Sequence, residues 1–324
     1  MQQRPGPPLV VVLDDWPPVA LHSEAWRRLA GRARVRSVRR HLQSEDDTAT
    51  ALAGAKVVVA MRERTALSAS LLSRLPDLAL IVTTGRRNAA IDVEDATRRG
   101  IVVCGTGAGP LDAAELAWGL ILGALRHIPS EAARLRRGAW TGSLGMSLDG
   151  RQLGVVGLGR LGGRVASVGR AFDMPVVAWS ANLTDARCAE LGVKREATLL
   201  DLLASSHIVT IHLRLSDRTR GLIGRAELQA MRPDAWLVNT SRGPIVDEAA
   251  LLLALDEGWI AGAALDVYDT EPLPRDHPFR RHPRILATPH LGYVSDASWR
   301  SWFPEIVEDI EAWLDGAPIR QIVP

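Results

Sequence analysis

The chain has 324 residues, which at roughly 100–200 residues per domain predicts two domains. Apolar residues make up 47% of it, enough for real cores, which excludes a disordered chain or a small stapled scaffold. Of its 39 basic residues only Lys56 and Lys194 are lysines, yet 37 acids bring the net charge to +2, so the arginine richness reads as composition and not as a nucleic-acid footprint.

The proline-rich start, residues 1–8, lacks the apolar stretch of a signal peptide. Short β-branched runs at 9–13, 56–60, 80–83 and 101–104 then read as buried strands, each followed by turn or helix signals. A helix is predicted over 111–127, ended by His127-Ile128-Pro129. Its apolar run, 116–125, is about half of what a bilayer needs, so no membrane association is expected. A second series of strands is expected at 152–156, 175–179, 207–212, 235–239, 262–267 and 285–288. Continuous apolar runs separated by helices favour parallel strands covered on both faces. Ten strands exceed what one compact sheet usually holds, so the reading is α/β with two doubly wound parallel sheets, the 111–127 helix connecting them. Cys104 and Cys188 offer neither a disulfide framework nor a metal cluster, and suit a reducing cytoplasm.

At the end of the 152–156 strand the chain reads Gly157-Leu158-Gly159-Arg160-Leu161-Gly162, a Gly-x-Gly-x-x-Gly between strand and helix. Gly157 permits the tight turn, Gly159 lets a pyrophosphate approach the backbone, and Gly162 lets the helix pack close. The helix N-terminus offers amide hydrogens and positive dipole to the phosphates. In that context the pattern predicts a dinucleotide site. The acid that usually holds the ribose 2′-hydroxyl is missing, since the next strand ends in Ser180-Ala181-Asn182. NAD and NADP therefore both stay open.

Three later strands end in unusual polar segments: Asn239-Thr240-Ser241-Arg242-Gly243, Asp266-Val267-Tyr268-Asp269-Thr270-Glu271-Pro272 and Thr288-Pro289-His290-Leu291-Gly292. In a doubly wound sheet such ends converge on the ligand crevice. Reduction of a 2-keto acid needs a cation for the carboxylate and a proton donor for the carbonyl oxygen. Arg242 supplies the bidentate fork. His290 can donate the proton, and a neighbouring Glu271 would orient it and favour its charged form.

These motifs, in this order, resemble the D-isomer-specific 2-hydroxyacid dehydrogenases, a family that includes phosphoglycerate dehydrogenase, glyoxylate/hydroxypyruvate reductase and D-lactate dehydrogenase. The likeness covers nearly the whole chain. It implies a Rossmann NAD(P)-binding domain, residues 109–288, inserted into a flavodoxin-like substrate domain formed by 1–108 and 289–324. It implies that Arg242 binds the substrate carboxylate and that Glu271 pairs with the catalytic His290. Asp266 would contact the nicotinamide carboxamide, Thr240 would line the nicotinamide pocket, and the amides of Arg160 and Leu161 would hold the pyrophosphate. Ser180 would face the adenosine ribose, with His212, Arg214, Ser241 and Gly292 further positions on the cofactor side. Arg62, Gly85 and Arg86 lie in two loops that, in relatives, face the substrate. The family also implies a homodimer built near Trp118.

The sequence departs from the family at Gly85-Arg86-Arg87, where many relatives carry Gly-x-Gly, and at Tyr293, where glycine is common. Arg214 stands where relatives often have proline, and with a neutral Ser180 it is expected to favour a 2′-phosphate. Formate dehydrogenases of the same superfamily resemble this pattern with Gln in place of Glu271. The alternative reading is a non-catalytic, dinucleotide-sensing corepressor of the same fold.

Overall fold

The computed structural model describes residues 6–140 and 142–324; residues 1–5 of the proline-rich start lie outside the described residues. By its contacts the chain divides into two compact units, Met1–Pro110 with Ser295–Pro324, and Leu111–Val294.

The first unit is built on a five-stranded parallel sheet: β1 (Leu9–Val12), β2 (Arg34–Ser37), β3 (Val57–Ala60), β4 (Leu80–Thr83) and β5 (Val102–Gly105), in the order β2-β1-β3-β4-β5. That is the flavodoxin-like order. Its central strands are buried throughout and in register, Val10 opposite Val57, Val57 opposite Leu80, Leu80 opposite Val102. Helix Asp296–Leu314 returns to this sheet and packs against β4 and β5. The last residues follow β5: Gly105 N–H donates to Arg320 O and Ile322 N–H to Val103 O.

The second unit carries seven parallel strands: β6 (Leu153–Val156), β7 (Val176–Trp179), β8 (Lys194–Arg195), β9 (Ile208–Ile211), β10 (Trp236–Asn239), β11 (Gly262–Leu265) and β12 (Ile285–Ala287). Their order, β12-β11-β10-β9-β6-β7-β8, is a Rossmann sheet extended by one strand, with its switch point between β6 and β9. All ten expected strands are present, most trimmed by a residue or two. The two additional strands, β2 and β8, are sheet edges. Arg34-Val35-Arg36-Ser37 alternates exposed and half-buried positions, and β8 has two exposed residues, so neither shows the apolar run that marks a central strand.

The predicted connector helix runs Asp112–Leu125 and belongs to the second unit, where Ala114, Ala117, Trp118, Leu120, Ile121 and Leu125 enter its core. His127, at φ +53, turns the chain into a second helix, Ile128–Arg136, which the sequence reading did not anticipate. Pro129 ends nothing there; it sits in the new helix's first turn, where a missing N–H costs no hydrogen bond. No helix among the described residues is long and apolar enough to cross a membrane. Both cysteines are buried and unpaired, and the described residues contain no metal-binding cluster.

Candidate active site

Because all seven strands of the second unit are parallel, the segments after β6, β7, β9, β10, β11 and β12 emerge at one edge of the sheet. Backbone hydrogen bonds lock neighbouring ends: Gly157 N–H to Trp179 O (2.9 Å), His212 N–H to Val156 O (2.8 Å), Asp266 N–H to Asn239 O (3.0 Å) and Thr288 N–H to Leu265 O (2.9 Å). The structure thus gathers at that edge the expected site residues from Gly157 to Asp266 and Glu271, together with His290 and Gly292, which fall in this unit and not in the one that the 289–324 boundary gave them.

The glycine loop opens helix Arg160–Ala171 without a side-chain cap. Gly157 has φ +101, and a Cβ there would come within 2.8 Å of His212 O. A Cβ on Gly162 would sit 2.0 Å from Gly157 O, so the helix can lie against the turn only with glycine at that position. Arg160 is exposed and Leu161 half-buried at the helix start. Ser180, half-buried, ends β7 with no carboxylate in the two residues that follow. After β9, the half-buried His212 places Nε2 2.9 Å from Thr210 Oγ1. Burial pushes its pKa down to about 4, so the ring stays neutral near pH 7. Arg214 is exposed, and its guanidinium has no partner among the described residues.

After β10, Asn239 shapes the turn that presents Arg242. Its Oδ1 accepts from Ser241 N–H (3.0 Å) and its Nδ2 donates to Arg242 O (2.9 Å). Ser241 Oγ donates to Leu213 O, tying this turn to the segment after β9. The half-buried Arg242 donates from Nη1 to Ser241 O at 2.6 Å. Thr240 Oγ1 is buried and has no hydrogen-bond partner among the described residues.

Glu271 and His290, nineteen residues apart, meet with Glu271 Oε2 2.5 Å from His290 Nδ1. The other carboxylate oxygen accepts from Tyr268 N–H at 3.0 Å. With Nδ1 engaged, Nε2 is the nitrogen left for a reacting group. His290 adopts φ +53, an unusual backbone for a residue with a Cβ, and its N–H donates to Thr288 O at 3.0 Å. Tyr293 stands edge-on to the imidazole at 5.5 Å between centroids.

Asp266 is fully buried and serves the same loop. Oδ1 accepts from Thr288 Oγ1 (2.7 Å) and Leu291 N–H (2.7 Å), and Oδ2 from Gly292 N–H (2.8 Å). Burial raises its pKa, against the pull of these donors. Sequence reasoning missed this bracing, and the parts played by Tyr268, Thr288 and Asn239 within it. The only linear trace was that these polar residues follow directly on apolar strands.

The first unit carries the remaining expected residues. Arg62, at φ +56, donates its N–H to Thr84 Oγ1 (2.9 Å) and lays Nη1 on Thr84 O (3.2 Å), covering Gly85. Gly85 N–H is already given to Thr106 Oγ1 at 2.7 Å. Arg86 and Arg87 are exposed.

The family described as D-isomer specific 2-hydroxyacid dehydrogenase, NAD binding domain, matches residues 118–292. The chain is 43% identical over 260 residues to a glyoxylate reductase of Aeropyrum pernix, covering 77% of each protein. It is 34% identical to the D-3-phosphoglycerate dehydrogenase of Bacillus subtilis over 81% of this chain, but spans only 50% of that longer protein. A crystal structure of a phosphoglycerate oxidoreductase from Vibrio cholerae superposes with a TM-score of 0.91 at 36% identity, over 95% of this chain and 99% of that one. A dinucleotide-type sheet, a carboxylate–imidazole pair at its edge and relatives of this closeness have one common explanation: the chain belongs to the D-isomer-specific 2-hydroxyacid dehydrogenases, a family of NAD-dependent oxidoreductases.

Proposed function

We propose that the protein interconverts a small 2-keto acid and its D-2-hydroxy acid, with His290 as general acid/base, Glu271 as its partner and Arg242 as the carboxylate anchor. The observation that carries this reading is the 2.5 Å Glu271–His290 contact, which commits Nδ1 and leaves Nε2 to serve the substrate oxygen. Glu271, itself held by Tyr268 N–H, fixes the orientation of the imidazole and faces the positive charge it carries when protonated. Arg242 holds the carboxylate with a fork that a point charge could not match. The names of the relatives, glyoxylate reductase and D-3-phosphoglycerate dehydrogenase, point to short 2-keto acids.

The residues fit a nicotinamide dinucleotide. Gly159 opens onto free space at an uncapped helix start, and Thr240 offers a buried hydroxyl with no protein partner. The reduced cofactor, when bound, supplies the hydride. We assign the pyrophosphate to the Gly157, Gly159, Arg160, Leu161 and Gly162 segment, the adenosine ribose to Ser180, and the nicotinamide end to Thr240, Ser241, Asp266 and Gly292. With no carboxylate at Ser180 and a free guanidinium at Arg214, NADP(H) is accepted alongside NAD(H). The second unit is then the dinucleotide-binding domain. The first is the substrate domain, contributing Arg62, Gly85 and Arg86. A second copy of the chain would cover Ile128, Leu135, Trp140 and Leu144, which are 54–98% exposed, giving a cytoplasmic homodimer whose molar mass in solution reports it.

The test is oxidation of NADH and NADPH against glyoxylate, hydroxypyruvate and phenylpyruvate, repeated with His290→Gln. The variant should lose about 10²–10⁴-fold in kcat, the usual worth of a positioned acid/base, while cofactor Kd stays within about twofold. Near-normal kcat removes His290 from the mechanism.

A further inference from the structure

Three separate loops carry the reactive side chains, and one residue outside that set touches all three. Tyr268 lies three residues beyond β11, its side chain buried. Its N–H donates to Glu271 Oε1 at 3.0 Å, which fixes the carboxylate whose other oxygen meets His290. Its hydroxyl donates to Thr288 O at 2.8 Å, with Leu265 O a longer second acceptor at 3.2 Å. Thr288 O is also the acceptor for His290 N–H, the bond on which the left-handed backbone of His290 hangs. Such a backbone persists only where its surroundings over-determine it. On the remaining side, a Cβ on Gly243 would stand 2.0 Å from Tyr268 C, so the turn carrying Arg242 lies flush on the Tyr268 backbone.

We propose that Tyr268 is a positioning residue for proton transfer: its amide aims the Glu271 carboxylate while its hydroxyl pins the carbonyl that holds His290, bringing both halves of the pair into register. This rests on the reading of Glu271 and His290 as the proton-transfer pair. Burial and the Asp266 and Glu271 carboxylates raise the pKa of the hydroxyl, so it remains a donor across the working range. Asp266 closes the frame by holding Thr288 Oγ1 and the amides of Leu291 and Gly292 on either side of His290. The phenol thus does work that ring packing alone could not.

Tyr268→Phe separates these contributions, since it keeps the ring and the amide and removes one hydrogen bond. With the keto acid turned over fastest and NADH, kcat should fall about tenfold, a sub-ångström misplacement costing less than the 10²-fold of a full ångström. KM and NADH Kd should stay within about twofold, and the solvent isotope effect on kcat should rise as proton delivery becomes limiting. Added to His290→Gln, Tyr268→Phe should change the residual rate by less than about twofold, because residues acting as a unit are not additive. Unchanged kcat in Tyr268→Phe, or an equal loss in both backgrounds, overturns the positioning role. An active His290→Gln enzyme overturns instead the reading beneath it. Should Tyr268→Phe fail to fold, Tyr268→Met fills the ring's space without a donor, keeps the amide, removes the same hydrogen bond and carries the same expectations.

Discussion

Two glycines of one loop should fail in opposite ways when each is replaced by alanine. A Cβ on Gly159 meets nothing within 4 Å, and its backbone (φ −76, ψ −152) is extended and open to alanine. As helix N-cap, alanine is poorer than glycine by about 0.5–1 kcal/mol. The stiffer unfolded chain returns about 0.4–1 kcal/mol, so stability should barely move. The methyl nevertheless points into the space assigned to the pyrophosphate. Losing one charge-assisted hydrogen bond of about 1.5–3 kcal/mol means a Kd for NADH about 10–100-fold weaker. Gly162→Ala behaves otherwise, because its Cβ would lie 2.0 Å from a backbone oxygen, Gly157 O, that no rotamer change can move aside. Overpacking of that kind costs about 1–3 kcal/mol or more, before any ligand is added. Urea denaturation of the free protein and fluorescence titration with NADH separate the two effects. A Gly159→Ala protein that binds NADH like the parent, or that is destabilised as much as Gly162→Ala, refutes the assignment of this space to the phosphates.

Arg214→Ala should weaken NADPH binding about tenfold, the worth of one guanidinium–phosphate contact, and leave NADH unchanged; an unaltered ratio of the two dissociation constants would sink the 2′-phosphate role. In the first unit, Asp309 is wholly buried beside Arg320 (2.9 Å), yet burial outweighs that cation and lifts its pKa from 3.8 to about 7. Folding therefore tightens its hold on the proton: the stabilisation is fully present below about pH 4 and is lost as pH rises through about 7, on the order of 3–4 kcal/mol in all. Urea midpoints of the parent and Asp309→Asn, measured at pH 5 and pH 8, should diverge in favour of the variant at pH 8. A constant difference between the two pH values contradicts the shift.

What the sequence revealed and what it concealed divide along a physical line. Buried central strands leave continuous apolar runs, and the chemistry follows each run directly, so Arg242, Glu271, His290 and the glycine loop could all be found by reading along the chain. The edge strands β2 and β8 leave no such run, unlike the edges β5 and β12, which is why Arg34–Ser37 and Lys194–Arg195 went unseen. The bracing was hidden for a different reason. Asp266 finds its partners at Thr288, Leu291 and Gly292, and Tyr268 holds a carbonyl 20 residues away, because β11 and β12 are neighbours in the sheet and not because any local spacing demands it. The same cross-strand logic alters the expectation at Gly85. Family likeness sets Gly85 in a loop that faces the substrate, but Thr106, which directly follows the adjacent strand β5, already accepts the Gly85 N–H. Among the described residues the next two amides, of Arg86 and Arg87, donate to no protein acceptor. Any substrate group that meets this loop's backbone therefore meets those two amides, beside the exposed side chains of Arg86 and Arg87.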